Sequence, residues 1–405
     1  MIHHLGLPRW GGGFAVKKND SEDRWISPNE FSNDCVDDSK LPVMQVPYLP
    51  QLAALSIRKP KIACVSKRDA VHYFHMLKNG DAWRPFLGQP PILEDEVVQY
   101  PVCRSWPMGF KASAGIAQRV TEASAHRAGL PADRRVLAGA VVPQTCPVWG
   151  AIVDDVWVLH DSSDDALSLE SHSWLDCLDT EWERIGIRSH PDKKFDLSCD
   201  KEIQGMQVYS DSNDMSLSIE KTLAFMTGSL LSATCHFPAR AMVHKAVGQH
   251  GHAHMMQPCS RSIFQRTHVV LHEAYEAQAA RIRLDEAMML ELVVSSIMLP
   301  LSRMSFELPF SPIVECSDAS PGGHGRAYAS VPPDVVQSWC QVACHKGDPN
   351  AIRSEFDFDK PAEKVDWLQK VVLPLTSYFW HEIARPGFYR HIIYEEYEAL
   401  VWSLE

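Results

Sequence analysis

The chain has 405 residues, enough for two or three domains, and its 45% hydrophobic and 22% charged content is that of a globular protein rather than a disordered one. No apolar run reaches the roughly 18 residues of a membrane span. The start, MIHHLGLPRWGGGF, lacks a basic segment followed by an apolar one. Neither a membrane span nor a secretory signal is therefore expected, and an intracellular location, cytoplasmic or nuclear, is the expectation. The net charge of −12 argues against a simple nucleic-acid binder, but its distribution does not. Residues 58–145 carry 13 Lys/Arg against 7 Asp/Glu, a local +6, which leaves −18 for the rest. A basic half facing an acidic one is compatible with a phosphate-binding groove. Eleven cysteines without a CxxC pair read as free thiols, many of them buried, and suggest no zinc site.

In chain order, residues 1–55 are rich in Gly, Pro, Asn and Asp without a sustained period, and read as a poorly structured segment. Lys61 to Val65 is a short apolar run ending just before Asp69, as a strand would. Residues 113–129 have helical spacing at Ile116, Val120 and Ala123, with Ser113 as a cap and Gly129 as a stop. Residues 147–160 read as a hairpin, with Trp149–Gly150 near the turn and Asp154 and Asp155 at the tip. Ser162 or Ser163 can cap a helix in which Leu167, Leu175, Leu178, Trp182 and Ile185 recur, ending at Gly186. EIQGMQVYSDSNDMSLS, residues 202–218, suggests another hairpin with SND at its turn. Residues 218–235 and 264–300 read as helices. SPIVECSDASPGGHGRAYAS then gives a strand, a Gly-rich turn and a second strand, opening a new unit after LPFSP. No internal repeat is visible.

Some signals are weak. His250, His252 and His254 alternate in GQHGHAHMM and read as an exposed polar loop. HEAYEA at 272–277 lacks the second histidine of a zincin helix. Met288, Met289, Leu290, Leu292 and Val293 read as the core stripe of a helix. The basic pair Lys67–Arg68 is a candidate for template or nucleotide phosphate, against a plain surface cluster.

The chemistry concentrates in acids. Asp69 ends one strand, and Asp154 and Asp155 follow 85 residues later in a second. Carboxylates brought together by a sheet can hold two Mg²⁺ ions about 3.5–4 Å apart, an arrangement suited to in-line phosphoryl transfer. Paired acids are also common at solvated turns. The neighbouring segments weigh against that bland reading: RSWPMGFKASAGIAQRVTE, then GIRSHPDKK, then IQGMQV.

That order resembles the fingers and palm of a reverse transcriptase, with retroelement enzymes of the Ty3-like and DIRS-like groups closest. RDAVHYFHM is similar to the first catalytic motif, which implies Asp69 as a metal ligand and Phe74 as the aromatic that gates against a ribose 2′-hydroxyl. PMGFKASAGIAQ resembles the second motif, which implies Met108 and Gly109 at the nucleotide and Lys111 and Gln118 at primer or template. IVDD resembles the paired-aspartate motif and implies Asp154 and Asp155 as metal ligands. Its Ile152 stands where the family has Tyr or Phe. GIRSHPDKK implies Lys193 or Lys194 near the triphosphate, and IQGMQV a primer grip at Gly205 and Met206.

VECSDASPGGHGRAYA resembles the opening strands of an RNase H fold, with Asp318 as a metal ligand. HIIYEEYEALVWSLE resembles the following helix, with Glu396 at the acidic position. The 78 residues between these acids imply an insertion, and the half-domain is expected to be inactive in hydrolysis.

The resemblance implies an α+β fold: a right-hand polymerase of fingers, palm and thumb, with a partial RNase H-like domain at the C-terminus. The corresponding division is 1–55, 56–215 (fingers and palm), 216–308 (helical thumb or connection) and 309–405. The implied function is RNA-directed DNA polymerisation with two Mg²⁺ or Mn²⁺ ions, an RNA or DNA template with primer, and dNTPs. The alternatives are an inactive remnant that still binds nucleic acid, and an unrelated binding protein whose acids are surface features.

Overall fold

The computed structural model describes residues 14–340 and 379–384, apart from breaks at 18–22, 28–29, 35, 43, 90, 139, 144, 163–164, 258–259, 261–262 and 321–322. A first hairpin pairs β1 (Phe14–Lys17) with β2 (Asp23–Ile26), followed by α1 (Glu30–Asp34). Then come β3 (Ile62–Asp69), the short α2 (Tyr73–Met76), and a small exposed hairpin of β4 (Ile92–Glu94) and β5 (Val97–Gln99). After α3 (Lys111–Arg127), β6 (Val148–Ile152) and β7 (Asp155–Ser162) form a tight hairpin. They are followed by α4 (Asp165–Ile185) and β8 (Phe195–Ser198). Strands β9 (Glu202–Ile203), β10 (Met206–Tyr209) and β11 (Asp214–Ser216) lead into four helices: α5 (Ile219–Thr234), α6 (Arg240–Ala253), α7 (Gln265–Glu276) and α8 (Glu286–Met298). The rest comprises β12 (Arg303–Ser305), β13 (Ile313–Ser320), β14 (Gly323–Ser330), α9 (Pro333–Cys340) and β15 (Phe379–Ala384).

The central sheet has the antiparallel order β6-β7-β3-β8. Side chains alternate across a strand, so each face has its own core. Ala63 and Val65, with Trp157 and Leu159, pack against Leu49, Leu52, Leu55 and the second sheet, ordered β12-β11-β10-β9. Val156 and Val158, with Trp149 and Ala151, pack against α3 and α4 through Ala117, Leu175, Leu178 and Trp182. A third core, around Val243, Phe264, Leu271, Met288 and Leu292, holds α5–α8 together. Strands β13, β14 and β15 form a separate three-stranded antiparallel sheet.

Several sequence expectations are corrected. Trp149–Gly150 lies inside β6, not at the turn, which is Val153–Asp154. Gly150 is there because Trp157 and Pro47 occupy the space a Cβ would need. Helix α3 begins at Lys111, so Ser113 is not its cap; Ser113 Oγ donates to the Pro107 carbonyl (2.7 Å) from within the first turn. The run 264–300 breaks into α7 and α8. The histidine triplet is helical: His250 and His254 are buried, bonded to Ser295 and Ser302. Residues 49–54 form a 3₁₀ turn whose Leu49 and Leu52 are core, and the Ile57 amide donates to the Phe306 carbonyl (2.9 Å). Among the described residues, no helix is long and apolar enough to cross a membrane.

Candidate active site

Strand register assembles the acids. Asp69, the last residue of β3, stands opposite Asp155, the first of β7. Alternation puts Lys67, Asp69 and Asp155 on one face and turns Arg68 to the other. The Ala70 amide donates to the Asp154 carbonyl (2.9 Å), and the His190 amide donates to the Asp69 carbonyl (2.7 Å). Three segments distant in sequence thus meet at one point. Lys193 donates from Nζ to both oxygens of Asp69 (2.8 and 3.1 Å), and Lys67 donates to Asp155 Oδ2 (2.8 Å). The second oxygen of Asp155, Oδ1, is buried without a hydrogen-bond partner.

The electrostatics follow from crowding. Burial pushes the Asp155 carboxyl up to about 7; Lys67 pulls it down, and the Asp69 carboxylate adds to the rise. Burial also raises Asp154, with Asp69 contributing, against the pull of Lys193 and Lys67. Burial works against the Lys193 ammonium, but Asp69, helped by the other two aspartates, outweighs it and raises its pKa. Three carboxylates here share two lysines, an excess of negative charge.

The turn that presents Asp154 is held from behind. Val153 has φ of +53°, a costly conformation for a β-branched residue. Its amide donates to Gln118 Oε1 (2.7 Å), and its carbonyl accepts from the Thr121 hydroxyl. Tyr73 Oη lies 2.7 Å from Thr121 Oγ1. Gln118 Nε2 donates to the carbonyls of Gln45 and Ala151 (3.1 Å each) and to Glu122 (3.0 Å). Gln118 is fully buried, so the expected primer or template contact is corrected to a supporting role. Sequence reading missed Tyr73 and Thr121; the spacing of Gln118 and Thr121 on one helix face was the available signal.

The donor set is chemically suited to Mg²⁺ or Mn²⁺, since Asp69, Asp154 and Asp155 supply hard oxygens and Asp155 Oδ1 lacks a partner. Among the described residues, however, no three His, Cys, Asp or Glu side chains are grouped tightly enough to hold an ion. Lys193 and Lys67 are the cations that these carboxylates pair with here.

The remaining candidates divide. Of the two adjacent lysines, Lys193 reaches the acids, whereas Lys194 donates to Asp179. Arg68 is fully buried and bonded to Asp176, Asp179 and Asp196, which removes it as a phosphate contact. Phe74 is half-buried in α2, close in sequence to Asp69. Gly109, with φ of +107°, and the half-buried Met108 precede α3; the Gly109 carbonyl and the Lys111 amide are both bonded to Asn33 (2.8 Å each). The Lys111 ammonium pairs with Asp38 (2.9 Å). Gly205 sits in the β9–β10 turn with φ of +84°, and a Cβ there would fall 2.8 Å from His252 Nε2. Met206 is buried in the core, which corrects its expected primer contact. Asp318 pairs with Gly325 in the β13–β14 ladder, and Glu396 lies outside the described residues.

No family model matches the sequence, and no curated protein matches it. Solved structures do. The foamy viral protease-reverse transcriptase dRH in complex with double-stranded DNA is 15% identical, with a TM-score of 0.52 over 79% of this chain and 49% of that one. The foamy viral protease-reverse transcriptase in complex with an RNA/DNA hybrid is 14% identical, with a TM-score of 0.51 over 81% of this chain and 39% of that one. The chain therefore spans about half the length of these proteins or less. At such identity the likeness is one of fold: this chain, mixed in helix and sheet, has a reverse-transcriptase-like fold.

Proposed function

We propose that the chain is the RNA-directed DNA polymerase of a retrotransposon of the Ty3-like or DIRS-like group, acting inside the cell. The observation that carries this reading is the register of Asp69 on Asp155, with Asp154 at the adjoining turn and Lys193 on Asp69, within a reverse-transcriptase-like fold. In this reading the central sheet is the palm, the segment around β4, β5 and α3 the fingers, and α5–α8 the thumb. The partners are an RNA or DNA template with its primer, and dNTPs. Strands β13–β15 belong to an RNase H-like unit, with Asp318 and Glu396 as its acids.

Asp69, Asp154 and Asp155 would hold two Mg²⁺ or Mn²⁺ ions. When bound, the ions supply activation of the primer 3′-hydroxyl and charge compensation at the phosphates. The protein's share is positioning. Lys193 moves from Asp69 to the triphosphate and neutralises the departing pyrophosphate. Phe74 packs beside the nucleotide sugar. Gln118 and Thr121 keep the Val153–Asp154 turn in its strained form.

A second reading is an inactive remnant that still binds nucleic acid. It is favoured by Lys193 already occupying both oxygens of Asp69 and Lys67 one oxygen of Asp155. Primer extension on an RNA template, with Mg²⁺ and then Mn²⁺, separates the two. The parent should extend, and Asp154→Ala should not, at unchanged thermal stability. Failure of both proteins to extend, with primer–template bound, would support the remnant instead.

A further inference from the structure

We propose that Cys64 and Cys199 are a redox-modifiable pair, which a hydroperoxide converts into a disulfide joining β3 to the segment after β8. The two sulfur atoms lie 3.8 Å apart and share a thiol hydrogen bond. The juxtaposition follows from the ladder. Val65 pairs with Ser198, and the next antiparallel step puts Cys64 opposite Cys199. Residues facing each other across two antiparallel strands have Cα atoms about 4.5–5.5 Å apart, within the roughly 4.4–6.8 Å that a disulfide spans, and a small closing of the strands with side-chain rotation would bring the sulfurs to about 2.0 Å.

The two thiols differ in access, which divides the chemistry between them. Cys199 is exposed and Cys64 is buried. Burial and the neighbouring Cys199 push the Cys64 thiol up to about 11, so it is held protonated. Cys199 therefore meets the oxidant first. Its thiolate sulfur attacks one peroxide oxygen, the O–O bond breaks, and the sulfur becomes a sulfenic acid with release of hydroxide, which takes up a proton to give water. The Cys64 sulfur then attacks the sulfenic sulfur, the S–O bond breaks, and the leaving hydroxide takes the Cys64 proton as a second water. Two thiols and one hydroperoxide thus give one disulfide and, with hydrogen peroxide, two waters. Proximity compensates for the weak nucleophilicity of a protonated Cys64.

The link would reach the acidic site through the chain. Cys199 follows Lys193 by six residues, and His190, in the same turn, donates its amide to the Asp69 carbonyl. A bond from Cys199 to the strand that ends in Asp69 restrains the segment that carries Lys193.

The test is peptide mapping of the full chain under non-reducing conditions, before and after a slight excess of hydrogen peroxide. The expected product is one new peptide pair joining Cys64 to Cys199, two hydrogens lighter than the separate peptides and removed by dithiothreitol. Cys177 and Cys235, also exposed, serve as internal controls. In Cys64→Ser the reaction should stop at a dimedone-reactive sulfenic acid on Cys199. In Cys199→Ser, Cys64 should stay reduced. The proposal is overturned by Cys199 pairing with another cysteine, or by Cys64 and Cys199 remaining thiols while Cys177 and Cys235 are oxidised. The parent map decides the matter even where a variant fails to fold.

Discussion

Asp69 and Asp155 face each other directly, as the last residue of one strand and the first of its neighbour. Two carboxylates in that relationship repel, and each has recruited its own lysine: Lys193 for Asp69 and Lys67 for Asp155. The site is an acidic centre held in check by two cations, and its behaviour should follow from that balance.

Asp155 makes the balance pH-dependent. Its carboxyl is raised to about 7, chiefly by burial, so the folded chain binds that proton more tightly than the unfolded one. The resulting stability is fully present below about pH 4, the unfolded carboxyl range, and is lost as pH rises through 7. Without divalent ions, Asp155→Asn should remove this part of the decline in Tm between those pH values. An identical parent profile would exclude Asp155 as the titrating group. Divalent binding has the opposite slope, because the metal needs the deprotonated acid. Calorimetry should find Mn²⁺ bound roughly tenfold more tightly at pH 8 than at pH 6.

Lys193 competes for Asp69 with any incoming cation. Lys193→Ala should strengthen Mn²⁺ binding by about 1.5- to 5-fold, the scale of a partly exposed ion pair. The same change should raise the apparent KM for dNTP if the lysine serves the triphosphate. Weaker Mn²⁺ binding in the variant would contradict the competition.

Gln118 satisfies four backbone or side-chain partners from a fully buried position. Gln118→Ala should cost about 1–3 kcal/mol in urea unfolding, since the Val153 amide loses its acceptor and the carbonyls of Gln45 and Ala151 lose their donor. Thr121→Val removes one bond to the same turn and should cost about 1 kcal/mol. A neutral Gln118→Ala would mean the turn does not depend on that bond.

Gly205 carries two separable penalties for a side chain, its φ of +84° and the crowding by His252. Gly205→Ala should destabilise by about 1–3 kcal/mol. In Gly205→Ala/His252→Ala the steric share should be recovered and the backbone share, about 1 kcal/mol, should persist. A double-mutant cycle with no coupling between the sites would show that His252 does not set the limit.

The juxtaposition of the acids was legible in the sequence because Asp69 closes one apolar strand run and Asp154 and Asp155 interrupt another, at the turn and at the first residue of the strand after it. Which adjacent lysine serves them was not, since Lys193 and Lys194 diverge only through the geometry of the Pro191–Lys193 turn. Gly150 misled because glycine signals a turn locally, while its cause is the distant Trp157 ring. His250 and His254 read as loop because polar residues alternate with glycine; burial is made tolerable by Ser295 and Ser302, which no local pattern reveals. Arg68 looked available beside Lys67 until strand alternation sent it to the aspartates around α4.

Residues 49–55 show where a compositional boundary and a physical one part company. Leu49, Leu52 and Leu55 are wedged into the main core, and the Ala54 carbonyl accepts from Gln337 of α9 (3.2 Å). Arg58 and Lys59, a few residues on, are exposed. A protease nick there would sever the chain without releasing a domain: the N-terminal piece would stay lodged in place, co-migrate with the remainder under native conditions, and part from it only in denaturant.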